Sequence, residues 1–380
     1  MHMLSSQKSL VSRSAARITT FITVFVATAA FIACSDNKTS TEPTPAPGFL
    51  GGIASNREIG VVVNSTGKAL TMFQLGSPTT TVSIPLGTSS SITPVGFSLQ
   101  KRLAAVPLGN AASVAIVNLE TATIQKFFTF ASGNATGSAW ANDTTVFVAN
   151  TTTNQVGRFY TTQTSAVISS LDSVAPGPTA IAYTGGRVLV VSGNLDANYA
   201  PIGNGIVTAI NPTTMAVLGT VQTGGANSSD AAVGPDGYLY VLNTDYAAQS
   251  TMTIINPATM TVITNITNVG VGAGQITIDA SGLAYISGFS TGTIIFNTKT
   301  RTFVRATGNE VCAKVAVTGA CRGAAAAAAS SSGKLYQTFF GSASQGQSPY
   351  VFVYSPSTYA LSDSIAVGVG PLSIVINTFN

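Results

Sequence analysis

The chain has 380 residues, of which 45% are hydrophobic and only 8% are charged, whereas an ordinary soluble domain carries roughly 25% charged residues. The formal charge of +4 falls to about +1 if a leader carrying Lys8, Arg13 and Arg17 is removed. That balance excludes a polybasic nucleic-acid binder as the default class, so no nucleic-acid partner is expected. The many glycine, threonine, serine and valine residues favour strands and turns over helices.

The N-terminal residues are typical of a bacterial export signal. Residues 1–17 are polar and basic, and residues 18–33 (ITTFITVFVATAAFIA) are almost wholly apolar, a run shorter than the roughly 20 residues of a membrane-spanning helix. Phe31-Ile32-Ala33-Cys34 resembles the lipobox, in which the cysteine is lipid-modified and becomes the new N-terminus. We predict a lipoprotein signal peptide over residues 1–33 and lipidation at Cys34. A plain secretion signal with an incidental cysteine is the alternative.

The next segment predicts where the protein is held. Residues 34–49 are polar and Pro-rich, with no means of burying a core, and are expected to form an extended tether. Ser35 occupies the sorting position of enterobacterial lipoproteins, where a residue other than Asp implies the outer membrane. We expect a protein of the bacterial cell envelope, periplasmic or surface-exposed, that contacts the membrane through its lipid anchor only. Residues 50–380 form the predicted folded domain.

Two further cysteines, Cys312 and Cys321, lie in that domain. An exported protein matures in an oxidising compartment, where disulfides persist. A zinc site would need about four ligands, and the only histidine, His2, lies in the leader. A loop-closing disulfide is therefore preferred, and no metal site is predicted.

A short signature recurs seven times and indicates one repeated unit. It is an apolar strand followed by Asn or Ser, often Pro, any residue, and Thr; Asn accepts hydrogen bonds from backbone two residues on, and Pro presets a turn. The copies begin at Gly76 (degenerate), Asn118, Thr161, Asn211, Asn256, Asn297 and Ser355.

A second hairpin precedes each signature. Residues 231–241 (AAVGPDGYLYV) show it best, with a Pro-Asp-Gly turn between two strands. Each unit therefore has four strands, named A to D, and dividing residues 50–380 by seven gives about 47 residues per unit. Units of this length and strand number predict an all-β, seven-bladed β-propeller of four-stranded antiparallel blades.

The predicted ring is closed by its two ends. The first blade has strands B, C and D near residues 59–64, 69–75 and 80–86 but no preceding strand A, and residues 372–377 supply one. Pairing the C-terminal strand in the first blade removes an open sheet edge that would invite aggregation.

The turn–strand pattern resembles the YVTN (surface-layer-type) seven-bladed propeller repeat family over nearly all of residues 57–380. Residues 234–243 (GPDGYLYVLN) and 254–259 (IINPAT) carry the resemblance most clearly, while Ala324–Ala329 replace the usual branched strand. The resemblance implies a propeller and leaves the activity open, since this scaffold hosts binding, hydrolysis and redox chemistry.

The longest connections are expected on one face of the ring. In an antiparallel blade the B–C and D–A loops share a face, and the elaborated loops 192–205, 243–250, 306–323 and 340–349 are all of these types. Long loops on a rigid scaffold often carry function, although drift in permissive loops is the alternative. The candidate binding residues are Asp196, Asn198, Tyr199, Asp245, Tyr246, Arg322 and Tyr350.

Several short motifs match catalytic or metal-binding patterns without their context. Residues 288–292 (GFSTG) resemble a nucleophile elbow but join two strands and have no histidine partner. Residues 270–274 (GVGAG) precede no helix that could hold a phosphate. Asn194, Asp196 and Asn198 alternate as in a calcium loop, yet Tyr199 replaces the required glycine.

Without a histidine the folded domain lacks the commonest general base and metal ligand. We therefore predict a monomeric, non-catalytic scaffold that uses no cofactor and binds a protein partner or a small molecule through its loops. One alternative, implied by propeller lipoproteins of this repeat type, is surface capture of a nutrient such as cobalamin for a transporter. A lactonase-like hydrolase, which would need clustered carboxylates in the channel, is the third.

Overall fold

The computed structural model describes residues 57–379 except residues 76, 164–168, 172–173 and 343–345. The predicted signal peptide, Cys34 and the tether lie outside the described residues. No described segment forms a helix long and apolar enough to cross a membrane.

The described chain folds into 28 strands in seven four-stranded sheets, one per blade. Blades 1 to 4 use β1 (Arg57–Asn64), β2 (Ala69–Gln74), β3 (Ser77–Pro85), β4 (Ser98–Gln100), β5 (Leu103–Pro107), β6 (Ser113–Asn118), β7 (Thr123–Thr129), β8 (Ala135–Trp140), β9 (Thr145–Asn150), β10 (Gln155–Tyr160), β11 (Ser169–Leu171), β12 (Pro178–Thr184), β13 (Arg187–Ser192), β14 (Asn204–Ile210) and β15 (Val217–Ala226). Blades 5 to 7 and the closing strand are β16 (Ser228–Val233), β17 (Leu239–Asn243), β18 (Thr251–Asn256), β19 (Thr261–Ile266), β20 (Ala273–Ile278), β21 (Leu283–Gly288), β22 (Thr291–Asn297), β23 (Thr302–Arg305), β24 (Ala326–Ala329), β25 (Leu335–Phe339), β26 (Tyr350–Tyr354), β27 (Leu361–Ala366) and β28 (Pro371–Phe379).

The predicted fold class and ring closure are confirmed. The sheet of blade 1 has the order β28-β1-β2-β3, so the C-terminal strand is the innermost strand of the blade that the N-terminal strands begin. Its antiparallel register places Ile59 opposite Asn377 and Val63 opposite Ser373. The closing strand is longer than predicted, because it continues along the full length of β1.

The recurring signature forms the C–D turn of its blade. In four turns the Asn side chain accepts hydrogen bonds from the backbone N–H groups two and three residues on; these residues are Asn118, Asn211, Asn256 and Asn297. The residue after the signature Thr adopts a positive φ, as at Met215 (61°) and Met260 (55°). The turn thus reverses the chain in about five residues and returns it to strand D.

Apolar side chains pack between neighbouring blades and form the core. Between blades 2 and 3, Phe128 and Phe159 are buried with ring centroids 5.1 Å apart, and Phe130 meets Phe159 edge-on at 5.4 Å. Trp140 is buried in the same cluster and donates from Nε1 to the carbonyl of Ser98. Trp140 therefore packs between blades 2 and 3.

Polar bonds join the inner strands of successive blades. Thr179 of β12 donates to the carbonyl of Ser228 in β16 (3.1 Å), and Thr277 of β20 donates to the carbonyl of Ala327 in β24 (2.6 Å). These side chains bond backbone carbonyls of the neighbouring inner strand, so blade 4 is linked to blade 5 and blade 6 to blade 7 around the channel.

Candidate functional site

The two faces of the ring have different connections. The turn face carries the A–B and C–D turns, which are short in most blades, and the loop face carries the B–C and D–A connections. The loops singled out from the sequence correspond to connections 193–203, 244–250, 306–325 and 340–349, all on the loop face. A fifth long loop-face connection, residues 86–97 between blades 1 and 2, was missed because no charged or aromatic cluster marks it.

The connection of blade 4, residues 193–203, is an internally bonded loop. Oδ1 of Asp196 accepts the backbone N–H groups of Asn198 (2.8 Å) and Ala200 (2.9 Å). The Asp196 carboxylate therefore shapes its own turn, the backbone role of an Asx residue. Tyr199 is held at a φ of 62° and is 57% exposed, a conformation that is a strained exception for a bulky residue.

The connection of blade 5, residues 244–250, packs on its neighbours of blade 6. Asp245 again caps its own loop, accepting the N–H groups of Ala247 and Ala248, and its carbonyl accepts the N–H of Gly272 (2.7 Å). Tyr246 is 74% exposed and lies over Gly272, where an added Cβ would be 3.4 Å from the Tyr246 ring. This loop and the D–A connection beside it form one continuous surface.

Cys312 and Cys321 are disulfide-bonded, with Cα atoms 5.5 Å apart. The bond closes a small hairpin, in which Val315 donates its N–H to the carbonyl of Ala320 and Arg322 donates its N–H to that of Ala313. Val317 at the tip is 94% exposed. The result is a braced projection from the loop face between blades 6 and 7.

The last two candidates, Arg322 and Tyr350, are half-buried and belong to one aromatic stack. The Arg322 guanidinium lies 5.2 Å from the centroid of the Phe339 ring, which contacts Phe352, and Phe352 stacks on Tyr350. The candidate residues thus occupy three separate groups on one face rather than one pocket.

The exposed large apolar side chains are distributed unevenly. Within the described ranges they lie either on the outer D strands or on loop-face connections, and none lies on a turn-face turn. The loop-face members are Val95, Tyr199, Ile202, Tyr246, Phe289, Val317 and Val369. Of the two faces of the ring, the loop face is therefore the one whose described connections offer apolar contacts to a partner.

A cavity of about 1050 Å³ opens on the opposite, turn face, and the sequence did not predict it. Its wall is built from the inner strands β16, β20, β24 and β28 and from the A–B turns of blades 6 and 7. The four-alanine strand Ala326–Ala329, noted in the sequence as a departure from the repeat, is the signal that could have found it, since alanine leaves space where a branched side chain would project.

Asp230 lies on the inner strand of blade 5, beside the cavity. Its Oδ2 accepts the N–H of Ile276, a cavity-lining residue, over 2.9 Å. Burial raises the pKa of Asp230 to about 7, and the N–H groups of Ile276 and Ala231 oppose the shift only in part. No cluster of three or more metal-binding side chains occurs in the part of the chain that the structure describes.

The segments that resemble catalytic motifs are ordinary connections here. Gly288 ends β21 and Thr291 begins β22, so residues 288–292 form a strand-to-strand turn. Residues 270–274 run from a D–A loop into β20. Neither geometry presents a nucleophile or a helix N-terminus.

No protein-family model matches the chain, and no curated protein matches it in sequence. Among solved structures, hydrazine synthase of Kuenenia stuttgartiensis is similar in fold, with 13% identity, a TM-score of 0.58, and coverage of 76% of this chain and 90% of that chain. A functionally unknown protein from Desulfotomaculum acetoxidans DSM 771 is also similar, with 14% identity, a TM-score of 0.63, and coverage of 86% and 100%. At such identities the likeness supports the β-propeller fold alone, and membership of the YVTN repeat family stays a prediction.

Proposed function

We propose that this protein is a non-catalytic scaffold of the bacterial cell envelope that docks a protein partner on its loop face. The observation that carries the proposal is that, of the two faces of the ring, only the loop face exposes large apolar side chains in its described connections. Exposed Tyr199, Tyr246 and Val317 project from three neighbouring connections, whereas the turn face exposes no large apolar residue in its described turns. Aromatic and aliphatic groups with few charges among them suit a protein interface.

The loops also have the rigidity that binding requires. Asp196 and Asp245 hold their own turns through pairs of backbone bonds, and the disulfide braces the third projection. Residues already ordered before binding lose little conformational entropy on association. The strained backbone of Tyr199 is consistent with a side chain held outward for contact.

Attachment to the envelope is the second part of the proposal and rests on the sequence. The apolar run 18–33 followed by Cys34 supports export and lipidation, and residues 35–49 would keep the ring clear of the membrane. Metabolic labelling with a fatty-acid analogue is expected to mark the wild-type protein and not Cys34→Ser. If neither the wild-type protein nor the variant is labelled, the leader is a plain secretion signal and Cys34 is not lipidated.

The docking proposal is tested by site-specific photo-crosslinking in native envelopes. A photoreactive phenylalanine analogue placed at Tyr246 or Tyr199 is expected to give a discrete adduct with a partner protein. The matched control is the same analogue at Phe127, an exposed aromatic residue on the outer strand β7. Equal adducts at all three positions, or none at the loop-face positions, would contradict docking on this face.

Nutrient capture is the second candidate function, favoured by the two exposed tyrosines, which could stack on a planar small molecule. It predicts a stoichiometric small molecule in the purified protein, lost in Tyr199→Ala/Tyr246→Ala, with no crosslinked partner other than a transporter. A lactonase-like activity is tested separately by lactone hydrolysis with the parent and with Asp230→Asn.

A further inference from the structure

The turn-face cavity has the size and position of a small-molecule site. Its volume of about 1050 Å³ matches the upper end of the range found for ligand pockets. It lies where inner strands from blades 5, 6, 7 and 1 converge, and the A–B turns of blades 6 and 7 and the C–D turn of blade 7 complete its rim.

Two alanine residues of blade 7, Ala328 and Ala329, line this space. The Ala328 side chain packs in the apolar cluster between blades 7 and 1, whereas the Ala329 side chain packs against the apolar cluster between blades 6 and 7. Leucine or isoleucine at either position would occupy volume that the present sequence leaves open.

The charged side chains described in the lining are both acidic. Glu58 and Asp279 line the cavity, and among the residues whose side chains the structure describes no lysine or arginine lines it. Glu58 accepts the N–H of Ser331 (2.6 Å) and its hydroxyl (2.8 Å), while Asp279 accepts the Leu283 N–H and the Tyr285 hydroxyl, each at 2.9 Å. All of these donors are neutral, so hydrogen bonds orient both carboxylates, and neither carboxylate faces a cation among the described lining residues.

Apolar and aromatic surface completes the wall. Ile276, Ile278 and Val375 supply aliphatic contact, and the rings of Tyr285 and Tyr359 also line the space. Arg305 lies against Tyr359, 5.3 Å from its ring centroid, and is bonded to Asn309 and the Thr358 carbonyl outside the lining. Oriented carboxylates with aromatic faces and an apolar floor are the chemistry that recognises organic ammonium groups.

We propose that the turn-face cavity is a binding site for a small organic cation, an alkyl- or arylammonium compound, with Glu58 and Asp279 as its counter-charges. Asp230, which accepts the N–H of the lining residue Ile276, is itself outside the lining. The site is separate from the loop-face surface, so either proposal can fail without the other.

The test is calorimetric titration of the full chain with three probes of similar size at pH 7.5. Benzyltrimethylammonium is expected to bind, with neutral benzyl alcohol and anionic phenylacetate at least tenfold weaker. Because the comparison is made on the unaltered protein, it does not depend on any variant folding. Equal binding of all three probes, preference for phenylacetate, or no binding of the cation at millimolar concentration would each overturn the proposal.

Substitutions then test whether the cation binds in this cavity. Glu58→Gln is isosteric, keeps an acceptor for Ser331 and removes one charge, so affinity for the cation should fall three- to tenfold. Ala329→Leu should abolish binding by filling the cavity. The matched control is Asp143→Asn, which neutralises an exposed turn-face carboxylate in blade 3, paired with Lys101, that is not part of the lining. Loss of affinity in the control equal to that in Glu58→Gln would show a general charge effect and contradict this site.

Discussion

Arg158, on the third strand of blade 3, donates from Nη1 to the backbone carbonyl of Pro212, in the C–D turn of blade 4, over 2.8 Å. The same relationship links other blade pairs: Lys126 bonds the carbonyl of Thr161 (2.7 Å) and Arg187 that of Pro257 (3.0 Å). A basic side chain thus reaches forward to the signature turn of the next blade. In a chain with so few charges, these cations hold neighbouring blades together.

Removing one of these links should destabilise the ring. Arg187→Met keeps an apolar stem but leaves the Pro257 carbonyl without its cationic donor, so the free energy of unfolding should fall by about 1–3 kcal/mol. The matched control, Arg102→Met, breaks the more exposed ion pair with Glu120 and should cost no more than about 1 kcal/mol. Urea denaturation measures the unfolding free energy of both variants. Equal losses of stability would show that the bond from Arg187 to the next blade contributes no more than an exposed ion pair.

Ring closure by β28 predicts a loss of cooperative folding when residues 371–380 are deleted, because β1 would then expose an unpaired edge and the blade 1 core would lose Ile374. A matched pair separates closure from simple truncation: Ile374→Lys introduces a charge at a buried position, and Thr378→Lys does so at an exposed position of the same strand. Only the first should lower the melting temperature strongly. A truncated chain that melts like the parent would show that closure is dispensable.

Asp230 predicts a pH dependence of stability. Its carboxyl has a pKa of about 7 in the folded protein and about 3.9 when unfolded. The folded state therefore holds more protons between these values, and stability falls as pH rises from 4 to 7 and levels off above. Asp230→Asn, which keeps an acceptor for the Ile276 N–H, should be more stable than the parent by about 2–4 kcal/mol at pH 8 and nearly equal at pH 4. Denaturant melts at both pH values provide the measurement, and identical pH profiles would contradict it.

The disulfide predicts a local effect. It closes a hairpin that lies outside the seven sheets, so Cys312→Ser/Cys321→Ser should speed amide exchange in residues 313–320 while the ring's unfolding free energy changes by less than about 1 kcal/mol. Hydrogen exchange read by mass spectrometry resolves the segment. A large fall in global stability would mean that the hairpin is part of the core.

The fold could be predicted because its signals are local. Asn211 and Asn256 bond backbone two and three residues away, so the turn they form depends on neighbours in the chain and repeats with the sequence. The closing strand followed from counting strand types. The order of the strands likewise placed residues 193–203 on the loop face, because they form a B–C connection.

The candidate site was predicted only in part. Asp196 and Asp245 were chosen as contact residues, yet their carboxylates are engaged with their own loops. Exposed Tyr199 and Tyr246 remain candidate contacts. The sequence could not distinguish residues that shape a loop from residues that face a ligand, because the same polar residue types serve both roles.

By itself the sequence determined the repeat, the turn chemistry, the blade number and the strand that closes the ring, all of which depend on spacing along the chain. Tertiary structure alone decided the cavity, the pKa of Asp230 and the forward bonds of Arg158. Each of these needs atoms from different blades, such as Glu58 with Ser331 or Asp230 with Ile276. Their juxtaposition follows from closing the ring, because closure brings the first and last blades into contact and turns the backbone edges of the inner strands towards one shared channel.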